Sequence, residues 1–304
     1  MEIIYSMRVF KSVASQGSFS KAADAMDLSP PQVTRTIKLL EEHLGARLFN
    51  RTTRAVSLTA EGQRFLERVD VILQELSDAT TMFASDTSMF RGRINLDIPA
   101  GFVPTTLIRQ LHRFSDKYPN IDLRISVTDR TVNLVGEGVD CALRIGELQN
   151  SSLIARQIAS MAMVTCASPG YIARHGKPDS PSDLVDHPQV SFLLGSGNKP
   201  YLWNFMVDNV NQVHVPVGVA STNETTAYIE CALSGYGIIQ LPGLMIEKHL
   251  KEGALVEVLS AFRPAPRALS IVYPSREQIP PYTKAFFDWI KNFFRDYDSA
   301  WLCR

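Results

Sequence analysis

Over roughly the first ninety residues the apolar positions recur at three- and four-residue intervals. Beyond Arg91 they alternate in short runs separated by helical stretches. The chain therefore reads as a helical head followed by an α/β body. In the head, Ile3, Met7, Phe10 and Ala14, with Val13 beside them, predict a helix over residues 3–15 that Gly17 ends. A short alanine-rich helix is expected over 21–26, and Asp27-Leu28-Ser29 makes a turn. Val33, Ile37, Leu40 and Leu44 then share one apolar stripe. That third helix carries its own signals: Ser29 as N-cap, Pro30 and Pro31 where helix amides lack partners, Gln32 completing a capping box, and Gly45 as the stop. Thr59 is a plausible N-cap for a fourth helix, in which Phe65, Val69, Ile72, Leu76, Ala79 and Phe83 repeat as a heptad seam. Such a seam needs a partner helix, and a homodimer is the expectation. Packing on the chain's own core is the alternative.

The polar run 85–88 marks a hinge, and the body follows. Ile94, Leu96 and Ile98 alternate, as do Ile121, Leu123, Ile125 and Val127, with a helix predicted over 103–118, a short one over 132–137 and a strand over 141–145. A second cycle predicts strands over 163–167, 190–194, 213–219 and 238–241 and a helix over 224–234. A strand over 268–273 and a helix over 282–294 close the chain. The succession predicts a mainly parallel, doubly wound sheet.

The head carries candidate chemistry. Opposite the apolar stripe of the third helix stand Pro31, Arg35, Lys38 and Glu42, with Gln32 and Thr34 flanking the amino end. Short polar and cationic groups near a helix start suit a helix in the major groove, where Arg grips guanine and Gln adenine. An amphipathic helix with merely solvated charges is the plain alternative. The preceding short helix and the basic stretch Arg51-Thr52-Thr53-Arg54 are the other parts a winged helix-turn-helix needs.

These residues carry a family resemblance. Gly17-Ser18-Phe19-Ser20-Lys21-Ala22-Ala23, the helix from Ser29 to Gly45, Arg47-Leu48-Phe49, Arg51-Thr52-Thr53-Arg54 and Leu58-Thr59-Ala60-Glu61-Gly62 closely resemble the winged helix-turn-helix of LysR-type transcriptional regulators. The likeness continues along the whole chain. It implies that Ser29, Pro31, Gln32, Thr34, Arg35, Lys38, Arg51 and Arg54 face double-stranded DNA, Arg54 as a wing arginine in the minor groove. Pro30 departs from the commoner polar residue at its position. The implied fold is α/β with an N-terminal all-α winged helix-turn-helix and a bilobed, periplasmic-binding-protein-like effector domain of two doubly wound α/β lobes. Its expected bounds are 1–60 for the DNA-binding domain, 61–90 for the linker and dimerisation helix, and 91–304 for the regulatory domain. Within the last, lobe one is 91–162 plus 268–304 and lobe two is 163–267. The resemblance also implies a homodimer or homotetramer, contact with RNA polymerase, and control of its own or adjacent genes through a small-molecule effector.

Charge sharpens the picture. The net charge is zero over 304 residues, yet residues 1–60 hold eight Lys or Arg against five Asp or Glu. A basic head on an acidic body fits phosphate contact by the head alone. No apolar run reaches membrane-span length and no signal pattern opens the chain, so a cytoplasmic protein without membrane association is expected. Cys141, Cys166, Cys231 and Cys303 lack metal-ligand spacing, so neither metal nor cofactor is expected.

In open α/β sheets ligands gather at the carboxyl ends of strands and at helix amino ends. That rule, together with the resemblance, selects Ala100, Gly101, Phe102, Thr128, Arg144, Gly146, Phe192, Trp203, Thr222, Asn223 and Gln240 as candidate effector contacts. Caps at Thr222 or Asn223 and a core place for Trp203 are the plain alternatives. Resembling proteins often have serine or threonine near positions 100–102. The apolar residues here imply an effector held by backbone amides or apolar contacts. An enzyme is not expected, because Gly195-Ser196-Gly197 lacks a nucleophile-elbow context and Gly136-Glu137-Gly138 precedes a strand instead of following one. A thiol-based redox regulator acting through Cys166 or Cys231, and a solute-binding protein that does not touch DNA, are the rival functions.

Overall fold

The computed structural model describes residues 2–51, 56–81, 90–146, 153–195, 197–274 and 279–303, without the side chains of 51, 74, 75 and 77–81. The chain divides into two compact units, Met1–Gly92 and Arg93–Arg304.

The first unit comprises α1 (Ile3–Gln16), α2 (Phe19–Ala25), α3 (Pro30–Leu44), a hairpin of β1 (Phe49–Arg51) and β2 (Val56–Leu58), and α4 (Ala60–Thr81). Gly17 and Gly45 end α1 and α3 in the left-handed conformation, at φ 59° and 66°, where a side chain would be strained. Val9, Phe10, Val13, Ala22, Ala23, Val33, Ile37 and Leu40 are fully buried together. Alanines in α2 let the helices approach closely, and Phe10 centres an aromatic group with Phe49 and Phe65, each 5.2 Å away between ring centroids. Leu44 departs from the predicted stripe: it is the last residue of α3, next to the stop at Gly45, and is 39% exposed.

Two links tie the hairpin to the helices. The Glu41 carboxylate accepts hydrogen bonds from the amides of Leu48 (2.8 Å) and Phe49 (3.2 Å). Thr59 caps α4, its hydroxyl accepting from the Gly62 amide and donating to the Arg47 carbonyl. A β-carbon on Gly62 would lie 2.1 Å from the Leu48 carbonyl oxygen, a backbone atom with no freedom to retreat. Gly62→Ala is therefore expected to destabilise the head by about 3 kcal/mol, read as a lower urea midpoint.

The predicted seam on α4 is corrected over its first half. Val69 is fully buried in the head's own core, and Phe65 packs against that core through Phe10. The three-four spacing is real, but the surface that meets it belongs to the same chain. Ile72 is 42% and Val71 54% exposed. Leu76 is half-buried, and the side chains of Ala79 and Phe83 lie outside the described residues.

In the second unit β3 (Gly92–Ile98) leads through a single 3-10 turn at Ala100–Phe102 to α5 (Leu107–Lys117), β4 (Ile121–Val127), β5 (Cys141–Ile145), β6 (Leu153–Met161) and β7 (Met163–Ala167). Then follow α6 (Pro169–His175), β8 (Gln189–Leu194), β9 (Lys199–Pro200), β10 (Trp203–Val207), β11 (Val210–His214) and β12 (Gly218–Thr222). The remainder is α7 (Thr225–Leu233), β13 (Ile239–Pro242), α8 (Glu247–Lys251), β14 (Val256–Val258), β15 (Arg267–Pro274), α9 (Pro281–Asp296) and β16 (Leu302–Cys303).

One sheet runs β16-β6-β15-β5-β3-β4; others run β13-β7-β14 and β12-β8-β9, and β10-β11 form a hairpin. The α/β class is as expected, but strand directions are mixed. β3 and β5 are parallel, as are β8 and β12, whereas β15 runs antiparallel to both β5 and β6, and β7 antiparallel to β13 and β14.

Four local expectations change. Turns over 134–138 replace the helix expected over 132–137, with the Asn133 side chain accepting from the Gly136 amide. The expected 103–118 helix starts only at Leu107. The single strand over 213–219 is two strands, because Pro216 has no amide to donate to a ladder; its carbonyl accepts from the Ser191 hydroxyl at 3.0 Å instead. Strands β6 and β10 were not expected at all, and with them the pairing of β11 into a hairpin.

Candidate DNA interface and ligand cavity

On α3 the burial pattern separates two faces. Val33, Ile37 and Leu40 are fully buried, and Pro31, Gln32, Thr34, Arg35 and Lys38 are exposed. Gln32 closes the amino end, its side-chain oxygen accepting from the Ser29 amide (2.9 Å) and hydroxyl (2.8 Å). Ser29 and the Gln32 oxygen are thereby engaged in capping, while Thr34, Arg35, Lys38 and the Gln32 amide nitrogen present the outward polar groups of this face. Lys38 lies 3.7 Å from Glu42 one turn on, a loose surface pair with the lysine 73% exposed. Such a pair is worth little and opens readily for a better anion. Arg35 makes no ion pair among the described residues. The wing hairpin pairs Phe49 with Leu58 and Arg51 with Val56. The Arg51 side chain and all of Arg54 lie outside the described residues.

The second unit holds a cavity of about 180 Å³. Of the candidate effector residues, Thr128, Arg144, Phe192 and Gln240 line it. Ala100, Gly101 and Phe102 are buried beside it without lining it: Phe102 packs edge-on against Phe294, and Gly101 sits against Met245 and Thr225. Trp203 is fully buried in a core with Tyr171, Phe205 and Ile238, so the plain alternative holds for it. Thr222 accepts a hydrogen bond from the Glu224 amide, and Asn223 is exposed away from the lining. Gly146, at φ 88°, lies beside the Arg267 guanidinium without lining the cavity.

Sequence reasoning passed over Tyr201, Thr225, Tyr228, Met245 and Arg267, which also line the space. Arg267 had a signal: it is a cation opening an otherwise apolar strand. The Arg267 guanidinium lies over the Tyr201 ring, 4.8 Å from its centroid.

The electrostatics are set by two aspartates. Asp97, with its side chain 1% exposed, accepts from Arg144 Nη2 (2.6 Å), the Ser126 hydroxyl (2.7 Å) and the Thr128 hydroxyl (3.3 Å). Asp129 bridges the Ala100 amide (3.0 Å) and the Thr225 amide at the start of α7 (2.6 Å). Its carboxylate fills the helix amino end where an outside anion would otherwise settle. The next two amides of α7, Thr226 and Ala227, donate to Glu224, the N-cap. Burial pushes the Glu224 carboxyl up, and these amide bonds outweigh it, so its pKa lies below the ordinary value. Burial raises the Tyr201 phenol, partly offset by the nearby Arg267, and raises Tyr228 too. Gln240 is held by Thr165 and by the backbone of Asn204. Among the described residues no cluster of His, Cys, Asp or Glu could hold a metal, and no helix is long and apolar enough to cross a membrane.

Residues 4–63 match the family model of the bacterial regulatory helix-turn-helix protein of the lysR family, and residues 88–295 match the LysR substrate binding domain. The chain is 37% identical to YhjC, an HTH-type transcriptional regulator of Escherichia coli K12, over 98% of this chain and 99% of that one. It is 31% identical to an HTH-type transcriptional repressor of Pseudomonas aeruginosa, over 97% and 93%. The solved structure of CrgA, a LysR-type regulator from Neisseria meningitidis, superposes with a TM-score of 0.60 at 30% identity, covering 95% of this chain and 97% of that chain. The exposed cationic face of α3, the order of the two matched domains and these likenesses agree: the chain belongs to the LysR family, DNA-binding transcriptional regulators that carry an effector-binding domain.

Proposed function

We propose that Thr34, Arg35 and Lys38 on α3 read or grip the major groove, with Pro31 and Gln32 beside them and Arg51 and Arg54 of the wing adding backbone or minor-groove contacts. The observation that carries this reading is the division of α3 into a fully buried apolar face and an exposed cationic one. The DNA is the region upstream of the chain's own gene or its neighbours. Electrophoretic shift of that DNA by the full chain tests the proposal, and failure of the wild type to shift it contradicts it.

The cavity of the second unit is the effector site in this reading. It adjoins both the six-stranded sheet, through Arg144 and Arg267, and the elements β7, β8, α7 and β13. That position supports lobes of 91–162 plus 268–304 and of 163–267, whose closure alters the spacing of paired heads, the bend of the DNA and contact with RNA polymerase in the cytoplasm. An effector-dependent change in footprint length supports this coupling, and an unchanged footprint with the cavity occupied contradicts it.

Pairing into a homodimer, or a tetramer built from two, rests on the exposed part of α4. Val69→Asp is expected to unfold the head, since it buries a lone charge in a closed core. Ile72→Asp, at an exposed position, leaves the head folded and shifts sedimentation toward the monomer. Equal unfolding by both would contradict this division of the helix. The redox alternative is not favoured: Cys141 and Cys166 are buried, and burial raises the Cys166 and Cys231 thiols, away from the reactive thiolate.

A further inference from the structure

We infer that the cavity takes a compact organic monoanion, an apolar body bearing one carboxylate-type group, and that Arg267 receives the charge. This rests on reading the cavity as the effector site and adds the chemistry of the effector. The assignment follows by subtraction. The amino end of α7 is already neutralised from within, Thr225 by Asp129 and the next two amides by Glu224. The Ala100 amide is taken by the other oxygen of Asp129. Arg144 is spent on Asp97 and on the Leu143 carbonyl (2.8 Å). Gln240 is bonded at both ends of its amide, and the Tyr228 hydroxyl accepts from the Gln240 backbone.

Arg267 is different. Its face rests on Tyr201, and it has no acidic partner among the described residues. A guanidinium stacked by its face keeps its N–H edges free to fork a carboxylate. Among the described residues that line the cavity the one anion is Asp129, and its charge is held by two backbone amides. The rest of the wall is apolar, from Ile145, Met163, Phe192, Leu194, Leu241 and Met245. A space of about 180 Å³ between these walls suits a compact apolar body.

The test is calorimetric titration of the full chain with four probes: cyclohexanecarboxylate, cyclohexanecarboxamide, cyclohexylmethylamine and inorganic phosphate. The carboxylate is expected to bind at least about tenfold tighter than the others. Arg267→Gln should weaken it by about tenfold or more, Arg267→Lys should restore part of the affinity, and the surface variant Arg124→Gln should bind as the wild type does. Equal binding of the amide, preference for the amine, undiminished binding by Arg267→Gln, or no binding of the carboxylate overturns the assignment, with a thermal melt verifying that each variant is folded. Phosphate binding as tightly as the carboxylate overturns the apolar body. If the amide binds and shortens the footprint, the effector reading stands and only the charge assignment falls. If the carboxylate binds while the wild type shifts no DNA, the charge assignment stands and the DNA reading falls.

Discussion

Arg35→Ala is expected to lower affinity for the upstream operator by about 10- to 100-fold, the range set by losing one good base contact of ~1–3 kcal/mol. Its side chain lies on the exposed face of α3, opposite Val33, Ile37 and Leu40, so truncation leaves the core intact and the loss is one of recognition. Lys38→Ala should behave differently. A lysine meeting phosphate contributes across all sequences, so its removal weakens specific and nonspecific DNA alike and reduces the slope of log affinity against log salt by about one. Quantitative shift assays at several salt concentrations separate the two roles. If both variants bind as the wild type does, α3 is not the recognition helix.

The second large effect concerns the second unit. Asp97→Ala is expected to destabilise it by about 3–5 kcal/mol, the cost of leaving one member of a buried pair alone. Asp97 answers three donors at once, and Arg144, with its side chain only 20% exposed, has the Leu143 carbonyl as its other hydrogen bond. Replacing both partners, as in Asp97→Val with Arg144→Met, should recover much of the loss, because the cost lies in the orphaned charge more than in the missing attraction. Chemical denaturation followed by tryptophan fluorescence measures both variants. A loss below about 1 kcal/mol for Asp97→Ala would place the pair among weak surface contacts.

Much of this was legible along the chain where local chemistry and packing agree. The third helix has a cap, prolines, a periodic stripe and a stop glycine, and it appears as α3 within a residue of its expected ends. Strands β5 and β7 fall on their expected bounds because each is a short apolar run with clear flanks. Spacing says less about which surface an apolar stripe meets. Val69 and Ile72 belong to one repeat, yet one lies in its own head's core and the other is 42% exposed. Strand β6 stayed hidden because its outer residues Ile154, Ala155, Arg156 and Gln157 are all exposed and show no two-residue rhythm. The β10-β11 hairpin turns on Asp208 and Asn209, both at positive φ, a pair that serves a tight turn without the more telling glycine. At the cavity, strand ends pointed to Thr128, Arg144, Phe192 and Gln240. Arg267 and Tyr201 were missed because they meet only in three dimensions, from strands and turns far apart in the chain.

The central claim is that α3 lies in the major groove with Arg35 against base edges. Guanine N7 faces that groove, so methylation protection of the upstream DNA reads the contact directly. The account predicts guanines protected by the wild type in two patches one helical turn or a multiple of it apart, with protection of at least one guanine per patch lost in Arg35→Ala while the hydroxyl-radical footprint on the backbone persists. Backbone protection with every guanine N7 fully reactive, or guanine protection unchanged in Arg35→Ala, would contradict it.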